Sequence, residues 1–289
     1  LRVRLPVPAS FSFDAVVRSH GWFDLPPFAY DRAAGVLETS LGTAGRAVRL
    51  RIENGTDGIS VSGNLARSAL TATARRILSL DLDLSGFAVS VAGEAALSRA
   101  LARGGGRMLR APSIFEDAVK VLFTTNCTWA ATRGMVVRLI ALAGAGGTAF
   151  PTAAEVARFT SARLERDVRC GYRAPSLARF ARRVASGRLD LSRWEDRARP
   201  AAEIREEILE EHGFGPYAAE GILRILGRHD FLALDSWVRM KYRELHPGPK
   251  KKTDASIARR YARYGEHRGL AMWLELTEDW HRGGEPVWP

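Results

Sequence analysis

Cysteine is nearly absent from this 289-residue chain: Cys127 and Cys170 are the only two. A single pair cannot build a disulfide scaffold or supply the four thiolates of an iron–sulfur site, and such sparse usage fits a reducing compartment. Long apolar runs are missing as well. No stretch approaches the roughly 20 residues of a membrane-spanning helix. Residues 1–10 contain no continuous apolar segment followed by a small-residue cleavage site, so neither a span nor a signal peptide is expected. No His, Cys, Asp and Glu spacing suggests zinc, and no cofactor motif is present, so no metal or cofactor is expected. Internal repeats are also lacking.

Positive charge is abundant. Lys and Arg number 43 against 32 Asp and Glu, for a formal net charge of +11, and the isoelectric point is near 10.3. Such a field attracts polyanions, nucleic acid first among them. The same surplus also serves solubility, so charge alone assigns no partner. Hydrophobic residues make up 46%, with turn chemistry between the apolar runs, which excludes a disordered chain. The length suffices for one large domain or two modest ones.

Residues 1–64 alternate apolar and polar positions. Val48, Leu50 and Ile52 are separated by Arg49 and Arg51, and Ser60 separates Ile59 from Val61. This period predicts an antiparallel sheet. From Leu65 the period becomes helical, through Leu70, Ala74, Ile77 and Leu78. The RGGGR run at 103–107 reads as a linker or mobile loop, because each glycine costs about 1 kcal/mol in a helix interior. SIFE at 113–116 and TAAE at 152–155 have capping-box spacing and predict helix starts. Further helices are expected over 174–186, 201–211, 217–227, 236–245, 254–264 and 267–281. The predicted class is α+β, with an antiparallel sheet domain over 1–64 and a larger α-helical domain over 65–289. Lys120 and Lys241 are expected to face solvent or phosphate, and the KKK run at 250–252 is expected to form a basic loop, solvated or, as the alternative, touching a nucleic-acid backbone.

A helical run, AEIREEILEE, ends at 211 and is followed by HGFGP at 212–216 and a second helical run from Tyr217. Gly213 and Gly215 allow a tight turn whose amides point outward, beside the positive dipole end of the second helix. That geometry holds a phosphate without reading base sequence, although an ordinary helix–helix turn would look the same. Eighteen residues after Tyr217 comes Asp235, in FLALDSW at 231–237. An acid after an apolar tetrad and before a helix is the usual place of an N-cap.

Together, Gly213-x-Gly215, a helix of about three turns and an apolar segment ending in Asp235 resemble the signature of the helix-hairpin-helix (HhH-GPD) DNA glycosylase superfamily. The likeness covers 111–245, with the hairpin at 212–217. Residues 113–126 and 134–139 resemble the first helix pair of the 8-oxoguanine and 3-methyladenine DNA glycosylases, and CGYRA at 170–174 their Gly-Tyr-Arg-Ala turn. FSFDA at 11–15 and WFDLPP at 22–27 resemble the start of their sheet domain.

The resemblance implies base-excision repair, in which a damaged base is flipped out of double-stranded DNA and its N-glycosidic bond is hydrolysed. It makes Asp235 the catalytic carboxylate, which would stabilise positive charge on the deoxyribose. The family's bifunctional members carry a lysine nucleophile where this chain has Tyr217, and tyrosine forms no Schiff base. A monofunctional enzyme acting on alkylated purines such as 3-methyladenine or 7-methylguanine is therefore expected, with oxidised or deaminated bases as the alternative. Tyr217, Trp237 and Trp129 are the expected base-pocket aromatics. Gly213, Phe214, Gly215, Asn126 and Arg173 are the expected DNA-binding residues. Arg173 matches an arginine that reads the orphaned cytosine in the 8-oxoguanine enzymes, but the second arginine of that pair falls on Ala131. Hairpins of this kind also imply, at most, a bound monovalent cation. The enzyme is expected to be a monomer, in the nucleoid-associated cytoplasm of a bacterium or the nucleus of a eukaryote. A different class, a non-catalytic helix-hairpin-helix DNA-binding protein with Asp235 as a mere cap, accounts for the same residues.

Overall fold

The computed structural model describes residues 1–43, 45–55, 58–249 and 251–281. The class is α+β, as expected. Five antiparallel strands, β1 (Arg2–Leu5), β2 (Ala29–Asp31), β3 (Val36–Thr43), β4 (Arg46–Gly55) and β5 (Gly58–Gly63), pair in the order β1-β5-β4-β3-β2. The alternation seen in the sequence sets the register. Leu50 and Ile52 on β4 face the core with Ile59 and Val61 on β5, and Arg49 and Arg51 face outward. A slip of one residue would bury those arginines.

The sheet and the central helices share one apolar cluster, from Val3 and Leu37 to Leu122, Leu177 and Ile222. A second cluster joins the helices near 85–102 to those after Leu232, around Tyr242, Tyr261 and Trp273. A cavity lined by residues of both clusters opens where they meet.

Helix starts follow the capping chemistry. Thr152 and Glu155 form a complete capping box. Ser113 accepts from the amide of Glu116, but the Glu116 side chain does not return the bond, because it is enclosed and ion-paired with Lys120 at 2.7 Å. Lys120 therefore departs from the sequence expectation. It is fully enclosed, with its ammonium 4.8 Å from the centre of the Phe28 ring, and faces neither solvent nor phosphate. Lys241 is half-buried and reaches Asp279 at 3.5 Å. Lys250 lies outside the described residues.

The RGGGR run is a second departure. Residues 104–111 form no mobile linker but are buried between the two clusters. A Cβ on Gly104 would lie 2.3 Å from that of Ser12. Arg107 is itself buried and donates to the carbonyls of Ser79 and Leu82. These glycines permit close packing of backbone, and that use has the same composition as a flexible linker.

Candidate active site

The hairpin follows the Ala201–Leu209 helix. Gly213 has φ 90°, and a Cβ there would sit 2.3 Å from Ser176 Oγ, so both backbone and packing require glycine. His212 Nδ1 bonds the same Ser176 hydroxyl at 2.8 Å. Phe214 points inward, 3% exposed, with its ring 4.9 Å from that of Phe180; it anchors the hairpin. Gly215 is different. Its φ of −85° is ordinary, and a Cβ on it would meet nothing within 4 Å. It is the N-cap of the Pro216–Ile225 helix, with no side chain capping the first turn and proline at its start. No side chain caps that turn, which carries the positive end of the helix dipole, and the space beside Gly215 is open.

Beside the hairpin opens a cavity of about 590 Å³, lined by Tyr217, Asp235, Trp237, Trp129 and Asn126. The volume is within the usual range for a small-molecule site. Asp235 begins the Ser236–Leu245 helix in extended conformation, and its Oδ1 accepts from the amide of Val238 at 2.7 Å. The carboxylate is thus a helix cap and a wall of the cavity at once. Its approach is held by a strained residue: Ala233 has φ 49°, a conformation costing an L-residue about 1–2 kcal/mol. The Ala233 amide donates to Glu220 Oε2 at 2.9 Å, and Arg205 grips Oε1 of the same carboxylate. Glu220 thereby ties the Asp235 loop to the helix that starts at the hairpin.

The cavity walls are aromatic. Tyr217 OH lies 3.3 Å from Thr124 Oγ1. Burial, and then the charge of Asp235, push its phenol above its ordinary value, so it stays protonated at neutral pH. Trp237 packs on Trp273 and Trp280, with ring centres 5.5 and 5.6 Å away. Trp129 donates from Nε1 to Asp24 Oδ2 at 2.7 Å, and its ring lies where a side chain on Gly21 would be. These rings are fixed surfaces.

Asn126 stands exposed at the cavity rim in left-handed conformation, φ 47°. Its Nδ2 donates to Tyr172 OH, which donates in turn to Thr125 O. Arg173 is spent on the same turn: Nε donates to Thr125 Oγ1 at 3.2 Å and Nη2 to Thr125 O. It is buried under the turn, its guanidinium carbon 4.5 Å from the centre of the Tyr172 ring. In this arrangement Arg173 positions the Asn126 turn.

Among the other lining residues, Tyr172, Arg224 and His20 bring polar groups that the sequence does not mark. Tyr172 is 62% exposed beside Asn126. Arg224 stands seven residues after Tyr217, on the same face of the helix, and a helical projection of 216–225 would have exposed it as the basic residue of an otherwise apolar face. His20 precedes WFD with no spacing to mark it. Both Arg224 and His20 line the cavity. Among the described residues no group of His, Cys, Asp and Glu could hold a metal, and no helix is long and apolar enough to cross a membrane.

This architecture recurs in solved structures. One, of MBOgg1 in complex with a low-affinity DNA ligand, matches 98% of this chain and 96% of its own at 20% identity, with a TM-score of 0.75. The 3-methyladenine DNA glycosylase from Archaeoglobus fulgidus matches 96% of this chain and 98% of its own, at 20% identity and a TM-score of 0.72. The chain has a DNA-glycosylase fold. A third structure with that fold, the Clostridium acetobutylicum 8-oxoguanine glycosylase/lyase with duplex DNA carrying cytosine opposite 8-oxoguanine, matches at 16% identity and a TM-score of 0.66, covering 91% of this chain and 93% of its own. No family model and no curated protein matches the sequence. The glycosylase fold spans nearly the whole chain, sheet included, as the resemblance implied.

Proposed function

We propose that this protein is a base-excision DNA glycosylase that binds double-stranded DNA as a monomer and hydrolyses the N-glycosidic bond of a flipped, damaged base. The observation that carries this reading is the half-buried Asp235 carboxylate in the wall of an aromatic cavity, next to a hairpin that leads into a helix start without a side-chain cap. Phosphate is held at the first turn of the Pro216–Ile225 helix and by the surrounding positive field. The Asn126 turn reaches toward the duplex, and the base enters between Tyr217 and Trp237. As the C1′–N bond breaks, Asp235 stabilises the positive charge growing on the sugar and orients the water whose oxygen bonds to C1′.

The resemblance to other hairpins of this kind implies at most a monovalent cation on hairpin carbonyls, which would add positive charge beside the phosphate. No step depends on it. Tyr217 occupies the position of the lysine nucleophile, so the product is an abasic site in an intact strand. The base is chosen by the cavity walls. Tyr217 and Trp237 suit an electron-poor alkylated purine such as 3-methyladenine or 7-methylguanine. Arg224 adds a positive charge better suited to the oxidised or deaminated alternative.

The bond from Val238 to Asp235 Oδ1 favours a second reading, a non-catalytic DNA-binding module in which Asp235 only caps its helix. Incubation with duplexes carrying single defined lesions separates the two. Free base should appear, with strand breaks only after alkali. Breaks without alkali would contradict the monofunctional assignment, and binding with no base released would favour the module.

A further inference from the structure

Arg224 brings a cation to the cavity wall, where a ring face but no carboxylate partners its charge. Its guanidinium carbon lies 4.1 Å from the centre of the Trp273 ring, and its enclosed Nη1 makes no hydrogen bond. It senses the charges of Asp235 and Glu220 yet forms an ion pair with neither, and Glu220 is already held by Arg205. Charged donors left unpaired in a partly buried wall are costly, so packing alone does not account for this residue. His20, which lines the same cavity, is 7% exposed, with Nε2 2.7 Å from Leu109 O. A carbonyl only accepts, so Nε2 carries the proton. Burial lowers the ring's pKa to about 3, so the ring is neutral and Nδ1 is left as an acceptor. The cavity therefore offers a fixed cationic donor and a neutral acceptor.

We infer that Arg224 and His20 set the specificity of the pocket: it takes a neutral base with a carbonyl oxygen beside a ring N–H, such as hypoxanthine, uracil or 8-oxoguanine, and disfavours alkylated purines, which carry a positive charge even where, as in 7-methylguanine, they keep the same edge. The inference rests on the glycosylase reading above. Arg224 donates to the carbonyl oxygen and His20 Nδ1 accepts the adjacent N–H. When the C1′–N bond breaks, its electron pair goes to the base. A neutral lactam leaves as an anion delocalised onto that oxygen, which Arg224 stabilises before the base takes a proton from solvent. A cationic purine leaves neutral, gains nothing from Arg224, and is repelled by it on binding.

The test is the ratio of release rates from duplexes carrying hypoxanthine, uracil or 8-oxoguanine to that from duplexes carrying 7-methylguanine. The protein should release at least one of the three neutral bases tenfold or more faster than 7-methylguanine, which keeps a lactam edge but adds a positive charge. Arg224→Gln should narrow that ratio at least tenfold, and Arg224→Lys, which keeps the charge, should narrow it less. Loss of folded protein lowers both rates together and leaves the ratio unmoved, and thermal melting of each variant reports folding directly. Release of 7-methylguanine as fast as of any of the three neutral bases, or a ratio unchanged by Arg224→Gln, overturns the inference and leaves the glycosylase reading standing. Release of no base of either kind, with duplex still bound, overturns both.

Discussion

Two buried histidines carry a cost that appears only in acid. His229 and His20 both have their pKa lowered to about 3, chiefly by desolvation. Arg224, His267, Arg197 and Arg110 also face His229 and act in the same direction. The unfolded chain takes up a proton near pH 6.5 that the folded chain refuses until about pH 3. Stability from each histidine is therefore complete above pH 6.5 and falls as the pH drops through that window, by up to about 1.4 kcal/mol per pH unit. Both ring nitrogens of His229 are enclosed without partners, so His229→Leu should preserve stability at neutral pH and make its decline between pH 6 and 4 shallower. Urea midpoints across that range measure this, and equal slopes in the two proteins would contradict it. Legibility at this scale followed chemistry rather than hydropathy. Asp235 stood out because an acid ended an apolar segment at a fixed distance from a hairpin. Lys120 did not, since its partner Glu116, four residues earlier, looks the same in sequence whether the pair is buried or on a surface. Arg224 was hidden by the usual assumption that a lone arginine in an apolar helix extends to solvent.

The hairpin shows how two glycines in one element do different work. Gly213 is required by its φ of 90° and by Ser176, whereas Gly215 is required by neither. Gly213→Ala should cost roughly 2 kcal/mol or more of stability. Gly215→Ala should change stability by no more than about 0.5 kcal/mol but weaken duplex binding, because its methyl group would project into the approach to the helix amides. Thermal melting and binding titrations at fixed salt distinguish them. Equal destabilisation by the two changes would contradict this division, as would unchanged duplex affinity in Gly215→Ala. The helices were legible as elements because caps and the 3.6-residue period agree, as at Thr152. The 104–111 segment was not, because composition does not distinguish glycines that free a chain from glycines that let it pass through a core.

At the scale of the whole molecule, a sheet and two apolar clusters bring together residues from both ends of the chain: His20, Asn126, Tyr217, Arg224, Asp235 and Trp273 all line one cavity. The order of those elements was readable from the change of period near residue 65 and from the hairpin. The convergence was not, because it depends on how the second cluster docks against the first. The role proposed for Asp235 goes beyond capping a helix, and the Asp235→Asn exchange separates the two. Asparagine caps as well as aspartate, so the variant keeps the bond to Val238 and removes only the charge. Base release and duplex binding should be measured side by side with the unaltered protein. Release is predicted to fall at least about a hundredfold with affinity for DNA retained and the fold intact. Release that persists undiminished in Asp235→Asn would contradict the account.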